Sequence, residues 1–153
     1  MEHKSFTFTI KFREVFCKFF IFVFLLSSIC SGEDWSTYRF DNRRSGISSE
    51  AVGGQLFLQW KYISTHPPKT AWPEPVEELP RMHSDSAYHT AAAGNSIYFG
   101  SSVTDVLYCL NAATGKIRWE FFTEGPIRFA PTVYRERVYF GSDDGFVYCV
   151  DAE

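Results

Sequence analysis

Two stretches of this chain are near copies of each other, and their spacing limits the fold more than any other feature. Asn95-Ser96-Ile97-Tyr98-Phe99-Gly100-Ser101 returns 41 residues later as Glu136-Arg137-Val138-Tyr139-Phe140-Gly141-Ser142. Val106-Leu107-Tyr108-Cys109-Leu110-Asn111-Ala112 returns 40 residues later as Phe146-Val147-Tyr148-Cys149-Val150-Asp151-Ala152. The one-residue difference falls between the two stretches, where Ser102-Val103-Thr104-Asp105 is replaced by Asp143-Asp144-Gly145, and turns are where such changes are tolerated. A period near 40 that holds several short alternating strands is the signature of propeller blades, each of which needs a neighbour to cover its apolar face.

Within one unit the pattern predicts an inner strand at 90–93, a second at 96–101, a third at 106–111 and an outer strand at 116–121. The second copy repeats the first three at 130–134, 137–142 and 146–151, and the sequence stops at Glu153. The expected organisation is a first blade at 88–124 and a second, truncated blade at 125–153, in an all-β chain with too few blades for a ring.

The first 32 residues read as a secretory signal. Met1 to Lys18 carries Lys4, Lys11, Arg13 and Lys18. An apolar run from Phe19 to Leu26 follows, and Ser27-Ser28-Ile29-Cys30-Ser31-Gly32 supplies the small residues of a cleavage site. The run is shorter than the ~20 residues of a membrane span. Cleavage near Gly32 is expected, with lipid attachment at Cys30 a weaker reading because Ile29 precedes it. Eight of the 16 Phe residues leave with the leader, and the remaining 121 residues carry 11 basic and 16 acidic side chains, a net charge of −5. Such a chain lacks the basic face that nucleic-acid binding needs. Any membrane contact would come through the leader or the Cys30 lipid alone.

Residues 33–55 mix Asp, Asn, Arg, Ser and Gly and read as an ordered opening segment without a helix. The run 56–63, Leu56-Phe57-Leu58-Gln59-Trp60-Lys61-Tyr62-Ile63, has the density of a half-buried strand. Residues 64–87 hold five of the seven prolines, at 67, 68, 73, 75 and 80, and read as a surface loop.

Cys109-Leu110-Asn111-Ala112-Ala113-Thr114-Gly115-Lys116-Ile117-Arg118-Trp119 resembles the eleven-residue tryptophan-docking motif of the pyrroloquinoline quinone (PQQ)-like β-propeller repeat family, within the quinoprotein alcohol dehydrogenase-like superfamily. That motif begins with Ala, has Asp or Asn third, continues with Thr-Gly and ends in Trp. Here Cys109 keeps the small volume of the first position, and Cys149 occupies the same slot in the second copy. Gly125-Pro126-Ile127-Arg128-Phe129-Ala130-Pro131-Thr132-Val133, Phe140-Gly141-Ser142-Asp143-Asp144-Gly145 and Trp35-Ser36-Thr37-Tyr38-Arg39-Phe40-Asp41 are also similar to phrases of such propellers. The resemblance implies a partial propeller, with Cys109, Asn111, Thr114, Gly115, Trp119 and Cys149 as structural docking positions and Trp119 set against the next blade. It also implies that 56–63 is the outer strand that would close the final blade.

Propellers of this kind include the lipoprotein of the bacterial outer-membrane assembly machine as well as PQQ-dependent dehydrogenases. The expected role is binding or scaffolding for a protein or polymer partner, exported to the periplasm or beyond, without catalysis and with no cofactor required. The alternatives are the N-terminal part of a PQQ- and calcium-dependent alcohol or sugar dehydrogenase, or a polymer-binding adhesion propeller. The dehydrogenases carry an adjacent pair of cysteines that this chain lacks. A period apart, Cys109 and Cys149 are expected to be too distant for a bridge that needs Cα atoms within about 7 Å, and to be two buried thiols. Asp143-Asp144-Gly145 reads as a hairpin turn before a calcium loop. His66, His83, Asp85 and His89 have no recognised zinc spacing, and Arg128 could face a channel or pair with a carboxylate.

Overall fold

A computed structural model of the chain describes residues 32–69 and 87–153. The leader and most of the Pro-rich loop, with Cys30, His83 and Asp85, lie outside the described residues.

Seven strands run in order: β1 (Thr90–Ala93), β2 (Ser96–Gly100), β3 (Val106–Asn111), β4 (Ile117–Phe122), β5 (Thr132–Tyr134), β6 (Arg137–Gly141) and β7 (Val147–Asp151). They form two antiparallel meanders, a four-stranded sheet β1-β2-β3-β4 and a three-stranded sheet β5-β6-β7, which is the architecture of a partial propeller. Each strand expected within the two blades falls within two residues of its place.

Local chemistry makes the turns. Gly94 has φ 55° between β1 and β2. Arg135 and Glu136 (φ 49° and 62°) form the tight β5–β6 connection, whose paired positive φ values match the strand twist. Ser142 donates its N–H to the Phe146 carbonyl and accepts from Gly145 N–H, so Asp143-Asp144-Gly145 is the β6–β7 hairpin turn. The opening segment is ordered by both sheets at once. Trp35 bridges to Ala92 of β1, its carbonyl accepting from Ala92 N–H at 2.8 Å, and the Ser36 carbonyl accepts from Val133 N–H of β5 at 2.7 Å.

The main core lies between the two sheets. Tyr98, Leu107 and Cys109 of the first sheet meet Val138 and Phe140 of the second, with Ile127 between them, and Trp119, Phe121 and Tyr148 pack at the border. Both β2 and β3 are buried on both faces, whereas β6 and β7 alternate strictly, because only one face of their sheet is covered.

Residues 56–63 correct one expectation: they form no strand among the described residues. A strand exists by exchanging hydrogen bonds with a neighbour, and no described strand lies alongside this run. Leu56, Phe57 and Leu58 are 77%, 70% and 81% exposed.

Candidate functional site: the blade-docking seam

The docking motif is built around Asn111, the last residue of β3. Its carboxamide oxygen accepts from Ala113 N–H at 3.0 Å, Thr114 N–H at 2.9 Å and the Thr114 hydroxyl at 3.1 Å. Its backbone carbonyl accepts from Gly115 N–H at 2.8 Å, and its own N–H reaches the Lys116 carbonyl at 2.8 Å. Asn suits the position because a short side-chain acceptor can collect amides two and three residues ahead. Gly115 takes φ 69°, and the space a Cβ would need there is filled by the indole of Trp60.

That indole was not an expected docking residue. Trp60 Nε1 donates to the Ala112 carbonyl at 2.9 Å and its ring covers Gly115, so Trp60 seals the turn of the first blade. Trp119 treats the second blade in the same way, its Nε1 donating to the Ala152 carbonyl at 3.3 Å. Within its own sheet Trp119 stands opposite Cys109 in the β3–β4 ladder, where the small thiol leaves room for the indole.

An aromatic residue two positions on completes each contact. Phe99 and Tyr108 stack at 5.2 Å and 17° in the first blade, and Phe140 and Tyr148 stack at 5.2 Å and 12° in the second. Tyr62 packs at an inclined angle on the first stack, 5.2 Å from Phe99 and 5.9 Å from Tyr108. Phe121 meets the second stack edge-on, 5.9 Å from Phe140 and 5.5 Å from Tyr148. The sequence does contain the signal. Leu58-Gln59-Trp60-Lys61-Tyr62-Ile63 matches Ile117-Arg118-Trp119-Glu120-Phe121-Phe122 position by position, but at an offset of 59 that a search at the 40-residue period passes over.

The two thiols are free, as expected, but they differ in burial. Cys109 is fully buried between the sheets, and this burial raises its pKa. Cys149 is exposed, which corrects the expectation of two buried thiols. Its strand β7 has neither a fourth strand beside it nor a following blade above it among the described residues.

The acidic turn is fully engaged. Burial alone would raise the Asp144 pKa, but hydrogen bonds from Phe146 N–H at 3.0 Å, Tyr148 Oη at 2.8 Å and Glu124 N–H at 3.2 Å outweigh it and lower the value. Asp143 pairs with Arg128, Nε to Oδ2 at 2.6 Å, while Arg128 Nη1 donates to the Lys69 carbonyl at 2.8 Å. Arg128 therefore staples the approach to the second blade. These bonds hold Asp143-Asp144-Gly145 as the β6–β7 turn. No group of three or more His, Cys, Asp or Glu converges as metal ligands among the described residues. His66 Nδ1 instead contacts the Thr65 hydroxyl at 3.1 Å, and His89 stands edge-on to Tyr38 at 5.7 Å.

Away from the seam, a cavity of about 410 Å³ opens beside the starts of β1 and β5. Tyr38, Arg44, His89 and Phe129 line it, offering two polar nitrogen groups among aromatic walls. The cavity lies beside the inner strands β1 and β5 of the two sheets.

A meander blade closed by an Asn-Thr-Gly turn and sealed by a tryptophan from the neighbouring outer segment defines a tryptophan-docked propeller repeat. The family model described as outer membrane protein assembly factor BamB matches residues 58–153, and the chain belongs to this PQQ-repeat family. A comparison with curated proteins gives no match.

Proposed function

We propose that this chain is an exported propeller module that binds or scaffolds a protein or polymer partner and performs no catalysis of its own. The observation that carries this reading is how the motif is used: Asn111 and Thr114 close the turn of the first blade, Trp60 seals that turn over Gly115, and Trp119 ties the first blade to the second. Membership of a family described as an outer membrane assembly factor supports a scaffold working beyond the inner membrane, and the leader pattern of residues 1–32 supports export. The cavity at Tyr38, Arg44, His89 and Phe129 is the contact face of this reading, because Phe129 is 74% exposed there beside cationic and aromatic groups that suit an extended acidic or aromatic segment.

In-cell photocrosslinking from a reactive amino acid at position 129 tests this. A discrete crosslinked partner that is lost on Arg44→Glu is expected, together with no change in the absorbance of PQQ when the purified chain is titrated into it with calcium. Stoichiometric quinone binding with dye-reducing activity toward an alcohol would overturn the reading in favour of a dehydrogenase.

A further inference from the structure

We propose that the cavity beside β1 and β5, with the arginine-bearing loop that lines it, binds an acidic polysaccharide, one uronate unit lying between Arg44, His89 and the ring of Phe129. This rests on the binding role above and names the chemistry of its contact face.

The opening segment makes a fixed cationic loop out of local bonds. Phe40 N–H donates to the Thr37 carbonyl at 3.1 Å, Arg44 N–H to the Asp41 carbonyl at 2.8 Å and Gly46 N–H to the Arg39 carbonyl at 2.9 Å. The Asp41 carboxylate accepts from Ser45 N–H at 2.9 Å and from the Ser45 hydroxyl at 3.0 Å. These bonds hold Arg39, Phe40 and Arg44 at φ 56°, 81° and 55°, a left-handed region that residues other than glycine enter at a cost. Phe40 packs on Trp35 at 5.2 Å, the Trp35 carbonyl is bonded to β1, and the Thr37 hydroxyl meets that of Thr132 in β5 at 2.9 Å. The loop is thereby tied to both sheets, and Arg44 is placed at the cavity before any ligand arrives.

The charge of this loop is open to a partner. Arg39, Arg43 and Arg44 are all exposed, and among the described residues the arginine–carboxylate ion pair is the distant one of Arg128 with Asp143. A chain with a net charge of −5 after its leader therefore gathers three guanidinium groups within six residues. Such a local field of opposite sign draws an anionic partner to that face.

The cavity selects the kind of anion. A guanidinium binds a carboxylate through two parallel N–H···O bonds, and the imidazole of His89 adds a further polar nitrogen beside it. Next to these groups Phe129 and Tyr38 are 74% and 46% exposed, rings whose apolar faces gain by being covered. A pyranose ring has a face of C–H groups, and its uronate form carries a carboxylate at the rim, so one rigid unit reaches ring and guanidinium together. A glutamate side chain or a lipid phosphate would satisfy Arg44 and leave Phe129 bare. The volume of about 410 Å³ suits such a unit, since small-molecule sites run from about 300 to 1,000 Å³. Arg39 and Arg43, beside the cavity lining, are left for the next carboxylates along the polymer.

The test titrates the chain, purified from cells that make the full sequence, into fluorescently labelled trigalacturonate. Saturable binding is expected. Arg44→Asn, which tolerates a left-handed backbone, should weaken it at least about tenfold. Phe129→Ala, at a position already exposed, should weaken it about three- to tenfold. The fully methyl-esterified trisaccharide, with the same rings and no charge, and a triglutamate peptide, with the charge and no rings, should each bind the unaltered chain at least about tenfold more weakly. Absence of saturable binding, equal binding of the ester or the peptide, binding that both variants leave intact, or tighter binding to vesicles of anionic phospholipid than to trigalacturonate would each overturn the proposal. The ester, peptide and vesicle arms use the unaltered chain and do not depend on how the variants fold. A discrete protein crosslinked from position 129 without galacturonate binding would overturn this inference and leave the scaffold reading standing, whereas quinone binding with dye reduction, which none of these titrations reads, is what overturns that reading.

Discussion

The indole nitrogen of Trp60 lies 2.9 Å from the carbonyl oxygen of Ala112, on a turn 52 residues further along the chain, and this contact locks the lead-in to the first blade. Replacing Trp60 with Ala removes the hydrogen bond and uncovers the Gly115 turn. A half-buried tryptophan should cost about 2–3 kcal/mol, below the 3–5 kcal/mol of a fully packed one. Trp60→Phe should cost less, about 1 kcal/mol beyond any repacking, since the hydrogen bond is lost and most of the ring is kept. Urea denaturation of the three proteins checks the order.

Gly100 and Gly141 occupy the same position in the two repeats, yet they should respond oppositely to substitution. A Cβ on Gly100 would sit inside the Ile127 side chain, whereas one on Gly141 meets nothing within 4 Å. Gly100→Ala should destabilise by at least about 1–3 kcal/mol through overpacking. Gly141→Ala should be neutral or slightly stabilising, because it restricts the unfolded chain without a clash. Equal effects in thermal melts would contradict the one-sided contact between the blades.

The two thiols should separate in a native alkylation time course. Cys149 is exposed and should react within the mixing time of an excess of maleimide. Cys109 is buried and its pKa is raised by that burial, so it should react only as fast as the sheets open. Under denaturing, non-reducing conditions both should label.

Stability should fall at both ends of the pH scale for identifiable reasons. The Tyr62 hydroxyl is pushed up to about 12, first by burial and then by Tyr108 beside it. The unfolded chain ionises this group near its ordinary value of 10.0, so folding loses stability as pH rises from there to about 12. Tyr62→Phe should flatten that arm. Asp144 has a lowered pKa, so its contribution is complete above its ordinary value of 3.8 and is lost as pH falls through the folded value. Asp144→Asn should flatten the acid arm; melts of both variants across pH are the measurement.

The sequence by itself determined the blades. Alternation of period two, with Gly94, Thr114-Gly115 and Asp144-Gly145 as punctuation, is local chemistry, and a repeated stretch must solve the same packing problem twice. For that reason the seven strands of the two blades and the Thr114-Gly115 turn were legible in it. The tertiary structure decided the fate of residues whose neighbours come from elsewhere. The 56–63 run has a strand's pattern, but a strand needs a partner's amides, so Trp60 and Tyr62 became a seal on a blade while the backbone stayed unpaired. Cys109 and Cys149 occupy one position of one repeat, and nothing local distinguishes them. One is covered by the next blade and the other is open, because burial belongs to the assembly of repeats and not to the repeat.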